Sequence, residues 1–165
     1  MARIDITYFT DFRQIANLND EVIRDILIEK IDRLENQFFI EVFGYEFQKT
    51  MLADASNPIY TAILDGKEFT DADGVLQKWE GINESIANYI YYYFYFERTP
   101  LTGGVAFASA KIENANVVDP QARLVYAFNK IQDALTILQS FLFVNSEDYP
   151  TLEFKNLEKI NSFGL

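Results

Sequence analysis

The chain contains no histidine and no cysteine, so any chemistry it performs must come from carboxylates, hydroxyls and cations. Without cysteine there is no disulfide scaffold, thiol nucleophile or thiolate metal site. Without histidine there is no Ser–His or Cys–His triad, no imidazole zinc site and no ordinary general base near neutral pH. Paired carboxylates can do acid–base work alone, as in glycosidases. Here Asp20, Glu21, Asp25, Glu29 and Asp32 fall on the polar face of one helical pattern, where charges are simply solvated. An acidic turn offers a partial calcium loop: Asp71, Asp73, Gly74 and Glu80 match the third, fifth, sixth and twelfth positions of that pattern. The first position is Phe69, whose ring cannot ligate a cation. Leu101-Thr102-Gly103-Gly104 lacks both the lysine of a P-loop and the spacing of a dinucleotide fingerprint. These residues predict no catalytic group, no metal and no cofactor.

Composition bounds the rest. The 165 residues are 49% hydrophobic and 24% charged, a globular balance that predicts one domain over 1–165. Net charge is −11, with 14 basic against 25 acidic residues. Binding to phosphate backbones runs on Lys and Arg, so that balance argues against gripping nucleic acid. The longest apolar or aromatic run, Tyr89–Phe96, has eight residues. A bilayer takes about 20, so no membrane span is expected. The first residues include Asp5 and lack an apolar signal core, which points to assembly in a cytosol.

The elements that would carry any site are mainly helical. Arg3–Tyr8 alternates polar and apolar residues and predicts a short strand, and Thr10-Asp11 opens a short helix toward Leu18. With Asn19 as its cap, Asp20–Phe43 repeats Val22, Ile23, Ile26, Leu27, Ile31, Leu34 and Phe38 at helical steps. Glu29 and Arg33 sit four apart on its outer face, and Gly44 stops it. Tyr45–Ala53 and Ile59–Leu64 predict shorter helices, and Lys67–Trp79 either a hairpin or an irregular connector. Ile82–Glu97 predicts an aromatic helix. Thr99–Val118 has no helical period, and about 20 irregular residues in a small domain often mark contact or function. Asp119-Pro120 opens a last long helix to about Val144, with Leu124, Val125, Phe128, Ile131, Leu135, Leu138 and Leu142 as its core stripe. The expected fold is thus mainly α: a bundle of three main helices with a minor N-terminal strand or hairpin. A protruding loop at 99–118 and a C-terminal arm at 146–165 complete it.

Contact surfaces are the remaining candidates. Seven of the eight residues in Tyr89–Phe96 are aromatic, too many to face one core. Exposed apolar surface marks protein interfaces, and tyrosine is enriched there. Tyr91, Tyr92 and Tyr95 are therefore expected to face outward. A lone strand leaves its hydrogen bonds unpaired, so the first strand should pair with Val105–Ala108 or with a neighbouring chain. The apolar tail could pack on its own core or on a neighbour.

The layout resembles that of the small helical head–tail connector, or neck adaptor, proteins of tailed bacteriophages, of the crAss-like and related type. The resemblance rests on the helix from Asn19 through Phe43-Gly44-Tyr45 and on Gly81-Ile82 opening an aromatic helix that ends Glu97-Arg98-Thr99. It rests further on Thr102-Gly103-Gly104-Val105, on the Asp119-Pro120 helix, and on Asn145–Pro150 with the closing Asn161-Ser162-Phe163-Gly164-Leu165. It implies a structural virion protein without enzymatic activity, forming a ring, commonly of twelve copies, in the phage neck. Such a ring binds the portal protein, carries the next neck or tail protein and continues the DNA channel. Loops and termini make its contacts, which here fall on Thr102, Val105, Phe107 and Ile112 and on Leu152, Phe154 and Phe163. An acidic lumen repels DNA, as suits a conduit that passes the genome without binding it; alternatively, acidic faces simply keep the subunit soluble before assembly. Rival readings are a tail-completion or other virion adaptor ring, a soluble helical protein-binding module and, last, a carboxylate enzyme.

Overall fold

A computed structural model describes residues 3–97, 120–150, 152 and 154–160. Among the described residues there are five α-helices: α1 (Glu21–Phe43), α2 (Tyr45–Ala53), α3 (Pro58–Asp65), α4 (Asn83–Phe96) and α5 (Pro120–Val144). One antiparallel hairpin, β1 (Lys67–Thr70) and β2 (Leu76–Trp79), lies between α3 and α4. The fold is mainly helical with this minor hairpin.

Helix α1 starts one residue later than the Asn19 cap predicts. The Asp20 carboxylate accepts the Val22 and Ile23 N–H groups at 2.8 and 3.3 Å, two of the donors that a helix start leaves unpaired. At the other end the Gly44 N–H closes on the Ile40 carbonyl, and φ of +75° at Gly44 turns the chain straight into α2. Asn57 caps α3 by accepting the Ile59 N–H, with Pro58 in the first turn.

The core forms where α4 packs between α1 and α5. Leu34, Phe38 and Val42 of α1, Ile86 and Ile90 of α4, and Ile131, Leu135 and Leu138 of α5 are all buried. Helix α4 is buried nearly all round, since Ser85 through Tyr91 and Phe94 are all inside. A helix flanked on two sides needs apolar residues on both, and that is where its surplus aromatics go.

The segment 67–79 is a hairpin, registered from Lys67 opposite Trp79 to Thr70 opposite Leu76. Its turn is organised by Asp71, whose carboxylate accepts the Asp73 and Val75 N–H groups and the Gln77 amide at 2.9–3.1 Å. The Val75 N–H, foremost among these, holds the Asp71 carboxyl below its ordinary value. The turn that resembled a calcium loop is thus built on Asp71 as a backbone acceptor. Phe69, at its first position, is buried edge-on against Phe141 of α5. Trp79 is buried as well, and its indole N–H donates to the Ile63 carbonyl at 2.7 Å.

The N-terminal strand does not form. Residues Ile6–Tyr8 and Asp11–Arg13 are single 3-10 turns, and Asp11 and Asn17 have positive φ, so no helix runs to Leu18. Locally, the Asp5 carboxylate takes the Thr7 N–H at 2.8 Å and bends the chain. At longer range, Glu35 of α1 is buried and accepts the Arg3 and Ile4 N–H groups at 2.9–3.3 Å. A carboxylate takes the donors that the sequence assigned to a partner strand. Arg3 itself bonds to the Asn83 side chain, the Leu64 carbonyl and Asp65. Arg13 reaches Glu84 and Asn88 of α4.

Candidate functional site

The expected contact residues separate into three groups. Tyr91 does not face outward: it is only 4% exposed, with its ring edge-on to Tyr95 at 5.2 Å. The reason is the two-sided burial of α4. Tyr92 and Tyr95 are half-buried. Tyr92 stacks on Phe96 at 5.6 Å and tilts onto Phe128 of α5 at 4.8 Å. The Tyr95 hydroxyl accepts the Ala16 N–H at 3.0 Å and so pins the N-terminal segment. Leu152 and Phe154 are half-buried on this chain's own core, Phe154 against Phe43 at 6.2 Å. Thr102, Val105, Phe107, Ile112 and Phe163 lie outside the described residues, as does Asp119.

The phenols report the same burial. Desolvation pushes Tyr91 and Tyr149 up to about 12 and raises Tyr89 further, with Glu41 adding to the effect at Tyr89. In each case the folded state holds the proton more tightly than the unfolded chain, so stability falls as pH rises above the ordinary phenol range. An ultraviolet titration is expected to find these three tyrosines still protonated at about pH 11. Their ionisation should coincide with loss of helical circular dichroism. Complete ionisation of all ten tyrosines in a still-helical protein would contradict the burial.

Apolar surface is exposed elsewhere. On α5, Tyr126, Ile137 and Val144 are spaced by eleven and seven residues, close to whole turns, and all three are exposed. They make a stripe separate from the buried Ile131–Leu135–Leu138 side. Phe12 packs edge-on to Tyr126 at 5.2 Å, and the Lys130 ammonium sits 5.4 Å from the same ring. Phe143, exposed by 71%, stands near the end of α5. Val22 and Ile28 of α1 and Tyr45 of α2 are also exposed. Sequence reasoning missed the α5 stripe because the neighbouring core stripe claimed the helix. The signal was there in Tyr126, Ile137 and Val144, apolar residues that fit no core register.

Two glutamates tie helices together. Glu41 accepts the Tyr89 hydroxyl at 2.8 Å and the Gln37 amide at 2.8 Å. Glu97, at the end of α4, is gripped by Lys30 and Arg33 of α1. Arg33 therefore reaches across to α4, where the sequence pattern paired it with Glu29. Desolvation works against the charge on Glu97, but the two cations outweigh it and lower its pKa. A cleft beside the N-terminal turns is lined by Phe9, Gln14, Ile15, Asn17 and Asp20, and Asp20 is already committed to capping α1. Among the described residues no cluster of three or more acids could hold a metal ion, and no helix is long and apolar enough to cross a membrane. What the arrangement offers is contact surface: aromatic, apolar and set in an acidic molecule. No protein-family model, no curated protein and no solved structure matches the chain.

Proposed function

We propose that the chain is a non-enzymatic structural protein of a phage virion, one subunit of a neck ring that joins the portal to the tail and continues the DNA channel. The observation that carries this reading is the exposed apolar stripe of Tyr126, Ile137 and Val144 on α5, together with unlike exposed residues on α1 and α2. A closed ring needs two different surfaces on each subunit, one for each neighbour. The layout that resembles neck adaptors supports the same reading. So does the charge of −11, which suits a channel that DNA must slide through.

Native mass measured across protein concentration and salt tests this. The expected result is a discrete closed oligomer of high copy number. Ile137→Asp is expected to weaken association at least about tenfold, since a charge on a buried contact costs more than 1.4 kcal/mol. The same change should lower fold stability by less than it weakens association, because Ile137 is 39% exposed. A strict monomer with uniform amide protection would instead favour a self-contained protein-binding module.

A further inference from the structure

An aspartate followed by glycine is a step at which a main chain can rearrange. The side-chain carboxyl carbon can close a five-membered ring on the next backbone nitrogen, and glycine, having no Cβ, leaves that nitrogen open to attack. The chain holds two such steps, Asp65-Gly66 and Asp73-Gly74, one on each side of β1. Sequence alone ranks them together, and the fold treats them oppositely. At Asp65-Gly66 the reacting parts are locked. The Asp65 carboxylate is paired with Arg3. Gly66 crosses Gly81 so closely that an added methyl would stand 2.8 Å from the Glu80 carbonyl carbon and from the Gly81 nitrogen. Ring closure needs the Asp65 main chain to rotate until the Gly66 nitrogen faces its own side chain, and close-packed backbone opposes that rotation.

At Asp73-Gly74 nothing comparable stands in the way. Both residues are exposed, and among the described residues the Asp73 carboxylate has no bonding partner. A methyl built on Gly74 would meet no atom within 4 Å, so there is room for a ring. The bonds that hold this step stay inside the turn. The Asp73 N–H donates to the Asp71 carboxylate and the Gly74 N–H to the Asp71 carbonyl, each at 3.0 Å. Freeing the Gly74 nitrogen breaks one hydrogen bond at the tip of the hairpin and leaves β1 and β2 paired, the kind of opening that costs least in a folded protein.

We propose that Asp73 is a site of spontaneous covalent modification, where the main chain isomerises to an isoaspartyl link as the folded protein ages. The Gly74 nitrogen attacks the Asp73 side-chain carboxyl carbon. That C–N bond forms, the carboxyl C–O bond breaks, and the hydroxyl leaves as water with the proton from nitrogen. Water then adds to the main-chain carbonyl carbon of Asp73 in the cyclic imide and breaks its bond to nitrogen. The main chain now runs through the former side chain and is one carbon longer, with the same net charge and no oxidant consumed. The longer link carries Val75 away from Asp71, whose carboxylate takes its N–H at 2.9 Å, so the hairpin frays from the Thr70–Leu76 end. The Lys67–Trp79 end stays fixed beside the Gly66–Gly81 crossing.

Trypsin separates the two steps for the test, since Lys49, Lys67 and Lys78 place Asp65 in the peptide 50–67 and Asp73 in the peptide 68–78. The full-length protein is aged side by side in warm, mildly acidic native buffer and in urea, until the urea sample carries isoaspartate at both steps. Electron-transfer fragmentation identifies the product, because it cleaves the Cα–Cβ bond that isoaspartate alone places in the main chain. The expected native result is at least about ten times more isoaspartate at Asp73 than at Asp65, the contrast that local opening at one step and not the other produces. In urea the two steps should converge. Equal amounts in the native sample, or an excess at Asp65, overturn the proposal, because the fold then makes no such distinction. Native protein without isoaspartate at Asp73 overturns it too, by showing that the turn's own hydrogen bonds protect the step.

Discussion

Replacing Gly66 or Gly81 with alanine is expected to destabilise the fold by about 2–6 kcal/mol, roughly 1–3 from backbone conformation and 1–3 from displaced neighbours. The two glycines flank the hairpin and cross where it joins α3 to α4. Gly66 has φ +95° and ψ 161°, a conformation open only to glycine. A methyl there would stand 2.8 Å from the Gly81 nitrogen and nearer still to the Trp79 carbonyl. At Gly81, with φ +91°, a methyl would meet the Leu64 carbonyl oxygen at 2.9 Å. Those are backbone atoms and cannot rotate away. The crossing also lets the Ile82 N–H bond to Leu64 at 3.1 Å and aims α4 into the core. Urea unfolding followed by the fluorescence of Trp79, the single tryptophan, measures the loss where it occurs. The double variant should cost less than the sum of the two, because the first methyl opens the space that the second needs. A loss below about 1 kcal/mol would show that the crossing tolerates side chains, and strict additivity that the two methyls do not compete for one space.

Glu35→Ala is expected to cost on the order of 2–6 kcal/mol, because it strands the Arg3 and Ile4 N–H groups at roughly 1–3 kcal/mol each. Glu35→Gln should cost far less, since one amide oxygen can still accept both donors. The pH dependence has a definite sign. Desolvation raises the Glu35 pKa despite the two backbone donors and Arg3, and nearby Asp32 adds to the rise. The folded form then binds the proton more tightly than the unfolded chain. Its contribution is fullest below the ordinary glutamate range and is lost as pH rises through the folded value. Relative to Glu35→Gln, the wild type should therefore gain stability as pH falls from 7 toward 4. Gain in the opposite direction would mean that hydrogen bonding to the carboxylate outweighs its burial. Chemical denaturation of the three proteins at both pH values decides between these.

How far the sequence could be read depended on the range of the interactions. Helix α1 was legible to within a residue because its signals are local: an Asn19-Asp20 pair of capping residues, of which the sequence reading chose Asn19 and the structure uses Asp20, a three-to-four spacing of apolar residues and a glycine at the end. The hairpin stayed ambiguous, since Asp71 and Gly74 announce a turn without announcing the pairing of Lys67 with Trp79. Arg3–Tyr8 alternates like a strand, but the group that satisfies it is Glu35, 32 positions from Arg3, and no local pattern reports that. The aromatic helix shows the same limit at the candidate site. Its residues predict α4 well, but whether Tyr91 faces solvent depends on which other parts of the chain pack across α4, and no local pattern reports that. The exposed stripe on α5 escaped notice because a helix with apolar residues on two faces hides the minor one behind the major.

The N-terminal ties also set a timetable. Arg3 is made before the Leu64, Asp65 and Asn83 that it bonds; Arg13 precedes Asn88, and Phe12 precedes Tyr126. Val42 is synthesised long before Lys155, the residue that covers its carbonyl. During translation residues 3–13 meet Glu35 early, through the Arg3 and Ile4 N–H groups, and gain their remaining partners only as later helices are made. Residues 3–13 and 155–160 are thus both secured by partners from distant parts of the polypeptide. A nascent chain on the ribosome consequently presents an unfinished surface until α5 and residues 154–160 have been made.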